Sequence, residues 1–110
     1  MLNALLERMF RPHPVARLLQ AAYLQLPAPP AATQLLPDST RSYAQVAASY
    51  LEFVAQHEWA LAMEDLAELA AALTPVPPLF WELLAEVARR LKLPAEAAAY
   101  EQQLRQARAN

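Results

Sequence analysis

Residues 43–73 read YAQVAASYLEFVAQHEWALAMEDLAELAAAL, and this stretch decides the fold. From Tyr43 the apolar positions fall at Val46, Ala47, Tyr50, Leu51 and Val54, alternating steps of three and one that lay a single stripe along a helix. The stripe loses phase at Gln56-His57 and resumes as Trp59, Ala62, Met63, Leu66, Leu69, Ala70 and Leu73, so the reading is two helices with a break between them. Asp38-Ser39-Thr40 lies upstream, and its side-chain oxygens suit the free amides of a helix start; on that ground the first of the pair is expected to begin there, with Ser39 as its cap.

Outward from this pair, proline punctuates the chain, because it breaks helix interiors and fits the first turn. Pro12 ends a helix expected over 2–11, and Pro14 opens one carrying Val15, Leu18, Leu19, Ala22 and Leu26. Pro27 to Ala32 is a proline-rich connection, followed by a possible helical turn around Gln34 to Leu36. Thr74-Pro75-Val76-Pro77-Pro78 separates the central pair from a helix with Phe80, Leu83, Leu84, Val87, Ala88 and Leu91 on one face and a ladder of Glu82, Glu86, Arg89 and Arg90 on the other. Pro94 starts the last helix, with Ala97, Tyr100, Leu104 and Ala107 facing inward.

Composition agrees. Alanine and leucine fill 45 of the 110 positions, isoleucine is absent, and glycine and cysteine are absent too. The expected fold is all-α: one domain of five to six helices arranged as antiparallel hairpins, with residues 1–37 as an N-terminal helical arm and 38–110 as the core. Tyr43-Ala44-Gln45-Val46-Ala47 and Trp81-Glu82-Leu83-Leu84-Ala85 lie 38 residues apart and each opens a hairpin, a weak likeness to tetratricopeptide units. Without glycine or cysteine there is no glycine-rich phosphate loop, no thiol nucleophile and no disulfide.

His13 and His57 are the only histidines and fall in different hairpins, and Ser42 and Ser49 have no visible base, so neither a metal site nor a catalytic site is expected, and no cofactor. Four prolines interrupt the longest uncharged run, 18–37, which excludes a membrane span. Glu7, Arg8 and Arg11 interrupt the opening residues, which speaks against an export signal and for a cytoplasmic location.

Charge is segregated. Residues 42–88 hold seven acids and no lysine or arginine, while both flanks are net basic. That disfavours nucleic acid as a partner and favours a basic protein. Glu58, Glu64, Asp65 and Glu68 gather on one flank of the helix that follows Glu58, an arrangement that costs stability unless a partner supplies the positive charge. Glu52, Phe53, Glu58, Glu64, Asp65 and Glu68 are therefore the candidate partner-binding residues, with Phe53 as the apolar anchor. Reversing Glu58, Asp65 and Glu68 to lysine is expected to slow association without unfolding the bundle.

The run from Tyr50 to Leu66, followed after a proline loop by Phe80 to Leu93, resembles small helical immunity proteins of bacterial polymorphic toxin systems, of the Maf immunity type. Glu58-Trp59, Ala62 and Leu66 match the first part of that pattern, and Leu91-Lys92-Leu93 the last, over residues 46–93. Where the family turns on glycine, this chain has His57. The resemblance implies a non-enzyme that binds and blocks a cognate toxin domain, here one with a basic active surface. The alternative is a tetratricopeptide-like adaptor or secretion chaperone that holds a helical peptide in an apolar groove.

Overall fold

Proline and polar caps fix where the helices begin. The computed structural model describes residues 13–109, with helices α1 (Pro14–Leu24), α2 (Tyr43–Ala55), α3 (Trp59–Ala72), α4 (Pro78–Arg90) and α5 (Pro94–Ala109). The helix expected over 2–11 lies outside the described residues. Pro14, Pro78 and Pro94 each stand at the first helical position, where a missing N–H costs nothing. His13 caps α1, its Nδ1 accepting from the Val15 amide at 3.1 Å.

One start differs from its expectation. Helix α2 begins at Tyr43 rather than among Asp38-Ser39-Thr40, because Ser42 and Gln45 form a reciprocal cap: Ser42 Oγ accepts from the Gln45 amide at 3.2 Å and Gln45 Oε1 from the Ser42 amide at 2.7 Å. Asp38 instead turns the chain at φ 53°, and Ser39 Oγ accepts from the Arg41 amide. The turn read around Gln34 to Leu36 is a bend closed by an isolated bridge between Leu35 and Ser42, with Leu36 buried beneath it. No other β pairing occurs among the described residues.

Both hairpins close on the same device. His57 at φ 60° donates its amide to Val54 O at 3.1 Å while Glu58 donates to Phe53 O at 2.9 Å; Lys92 at φ 59° donates to Arg89 O at 3.1 Å while Leu93 donates to Ala88 O at 2.9 Å. Such an ending usually takes glycine at the left-handed position, and a side chain there costs about 1 kcal/mol. A chain without glycine accepts that cost at both endings, and Asp38 stands at positive φ as well.

Helix α2 packs against α3 and α4 against α5, and the hairpins meet mainly through α1, which lies on α4 and touches α3. The segment read as an N-terminal arm thus contributes Leu19 and Ala22, both fully buried, to one continuous core with Val46, Met63, Leu66, Phe80 and Leu84. Leu51 is the exception in its stripe, 59% exposed on the outer side of α2.

Candidate functional site

The six candidate residues divide into two environments. Glu52 is exposed on α2, where it accepts from Gln56 Nε2 at 3.3 Å; Glu58 is exposed at the turn and Glu64 on the outer side of α3; Phe53 is half-buried against the core. Asp65 and Glu68 face a different neighbour. The bend over residues 34–42 carries Arg41 onto α3, and its Nη2 pairs with Asp65 Oδ1 at 3.1 Å and with Glu68 Oε2.

This pairing corrects two expectations. The acidic flank of α3 does have a cation of its own sequence, so Asp65 and Glu68 are structural rather than vacant partners for another molecule. Asp65 is only 4% exposed and its Oδ2 is buried without a hydrogen-bond partner, so reversal to lysine there would set a second cation against Arg41 and is expected to destabilise the bundle. Burial opposes the Arg41 charge, and the two carboxylates outweigh it, holding the guanidinium above its ordinary value. Arg41 escaped the sequence reading because it lies 24 residues upstream of Asp65, just outside the acid-only zone, and only the bend brings it back.

Elsewhere the acids separate by hairpin. Arg89 holds Glu86 and Glu101 at 2.8 Å each, Arg90 holds Glu86 at 3.0 Å, and Arg108 reaches Glu82 at 3.6 Å. Contacts with Arg89 and then Arg90 lower the Glu86 pKa. On hairpin α2–α3, by contrast, Glu52, Glu58 and Glu64 have no cationic partner among the described residues. Exposed Leu51 and Leu61 lie on the same hairpin. At its turn, Trp59 stacks on His57 at 4.9 Å between centroids and on His13 at 5.1 Å, so the α1 entry and the α2–α3 turn meet at one indole. Sequence spacing gave no signal of that contact.

A second feature runs along the flank of α3 next to Glu64. Helices α3 and α5 are separated by a trough whose floor is Trp81 of α4, stacked on Tyr100 of α5 at 6.1 Å. Ala67 and Ala71 form one wall and Ala99 and Gln103 the other, around about 350 Å³; a further 410 Å³ continues past Thr74 toward Gln106. Burial, and then the charges of Glu64 and Glu96, push the Tyr100 hydroxyl pKa up to about 12.

Among the described residues no three His, Asp or Glu side chains converge as metal ligands, and no helix is long and apolar enough to cross a membrane. Comparison with protein-family models, curated proteins and solved structures gives no match. The residues that carry the resemblance to immunity proteins have visible structural duties: Ala62 and Leu66 are fully buried, and Trp59 and Leu93 follow the two left-handed turns. Glu58 and Lys92 among them are exposed charges.

Proposed function

We propose that this chain is an immunity-type inhibitor: a non-catalytic helical module, acting in the cytoplasm, that binds a cognate toxin domain and occludes its basic surface. The observation that carries this reading is the set of three exposed carboxylates, Glu52, Glu58 and Glu64, which lack a cation among the described residues while their neighbours on α3 and α4 are paired. A field of one sign speeds encounter with a partner of the other, and desolvated apolar anchors supply affinity. Half-buried Phe53 and exposed Leu51 and Leu61 are the anchors on that hairpin.

The test pairs the chain with the variable C-terminal domain of a secreted protein encoded immediately upstream. Glu52→Lys/Glu58→Lys/Glu64→Lys should slow association by about tenfold or more at low salt and abolish protection, with thermal stability nearly unchanged. Full protection by the triple variant overturns the surface assignment. An upstream frame with no secreted protein overturns the toxin reading itself.

A further inference from the structure

The trough between α3 and α5 is a feature that toxin binding through the α2–α3 edge leaves unused. Its dimensions follow from the residues along it. Glu64, Ala67 and Ala71 follow one another at helical spacing along α3, with Thr74 just beyond its end, and Glu96, Ala99, Gln103 and Gln106 do so along α5. Both acids influence Tyr100, whereas Thr74 shares a cavity with Gln106, so the two walls run in the same direction. Ten residues of helix give a trough about 15 Å long, the length of two to three turns of another helix. Alanine at 67, 71 and 99 lets a second backbone approach closely, and the stacked Trp81–Tyr100 pair, each 8% exposed, forms the apolar floor beneath. The lining itself is uncharged, and one turn before it on each helix stand Glu64 and Glu96, neither of which is in an ion pair among the described residues.

We infer that this trough is a docking site for a short amphipathic helix of a protein partner, which lays aliphatic side chains over Trp81 and Tyr100 and sets a lysine or arginine between Glu64 and Glu96. The charge at one end fixes the direction in which the helix lies. A second copy of this chain docking by its own α5 is a poorer occupant, because Arg105 turns away from the face of α5 that carries Glu96 and Gln103, and Arg108 is engaged with Glu82.

The proposal shares Glu64 with the toxin reading but stands otherwise on the trough between α3 and α5, and it is tested on the full chain with a displayed library of random dodecapeptides. Selection should enrich sequences with leucine or isoleucine at helical spacing from a lysine or arginine. Binding of their synthetic forms should fall about tenfold or more on Ala71→Trp, which fills the exposed wall, and on Glu96→Lys, and should be unaffected by Glu52→Lys/Glu58→Lys. Circular dichroism and melting of Ala71→Trp establish that the bundle is intact. Three results overturn the inference: no enrichment over the Ala71→Trp protein as counter-target, enriched peptides without a cation, or concentration-dependent dimerisation of the wild type that Ala71→Trp removes. Loss of toxin binding in Glu52→Lys/Glu58→Lys with peptide binding retained separates the two surfaces.

Discussion

Hairpin α2–α3 closes at His57 and hairpin α4–α5 at Lys92 through the same left-handed turn, yet their charges are disposed in opposite ways. In α4–α5 three of four acids are held by arginines of that hairpin, and Glu96, near the trough, has no ion pair among the described residues. In α2–α3 the only cationic partner among the described residues arrives from the preceding bend, serves Asp65 and Glu68, and leaves Glu52, Glu58 and Glu64 without one. The difference separates two roles that acids on a helix can have. Those with a partner in the same molecule hold the fold together, and those without one constitute its outward field.

The largest test of this comparison is alkaline, and there the hairpins should behave alike. Burial pushes Tyr50 of α2 and Tyr100 of α5 each up to about 12, so the folded state keeps protons that the unfolded chain gives up near the ordinary value of 10. Stability present below pH 10 is therefore lost as pH rises toward 12, on the order of 2 kcal/mol per tyrosine. Absorbance of tyrosinate should lag in the native protein relative to urea-unfolded protein; coincident titration curves refute the burial. Arg41→Ala comes next and should break the likeness: it strands buried Asp65 and should cost about 3 kcal/mol in urea unfolding, whereas Arg41→Met/Asp65→Leu should recover most of that. A loss under 1 kcal/mol in Arg41→Ala returns Asp65 and Glu68 to the outward field.

Smaller effects sharpen the rest. His57→Gly and Lys92→Gly should each stabilise by about 1 kcal/mol, raising Tm by about 5 °C, because each relieves a side chain at positive φ. A fall in Tm at either position shows that its side chain contributes more than its backbone costs. At the low end, Arg89→Ala should cost no more than about 0.5 kcal/mol, since its partners are largely exposed and screened. The Glu86 carboxyl is held below its ordinary pKa, so that contribution is present above the usual carboxylate range and fades as pH falls through it. A shallow acid limb that Arg89→Ala flattens is the expected profile.

Helix class, the break near His57 and most of the core were legible in the sequence because apolar periodicity and proline positions are local quantities. Val46, Tyr50, Met63, Leu66 and Phe80 are buried where the stripes placed them. The start of α2 was not, since Ser39 and Ser42 offer the same oxygen and only the reciprocal bond with Gln45 chooses between them. The candidate surface was half legible: exposure of Glu52 and Glu64 follows from their helical phase and that of Glu58 from its place at the break, but Arg41 reaches Asp65 through a bend that no periodicity encodes. The trough was invisible for a related reason. It is a gap between helices that are not neighbours in sequence, and alanine walls read locally as ordinary helix.

The two tryptophans stand at the two surfaces: Trp59, partly solvated, beside imidazoles at the hairpin edge, and Trp81, 8% exposed, edge-on to Phe80 at the trough floor. Their emission should therefore differ in colour, long-wavelength from the first and short from the second. A single spectrum recorded during a titration reports which of the two faces a ligand has covered, with each indole replaced by phenylalanine in turn as the assignment.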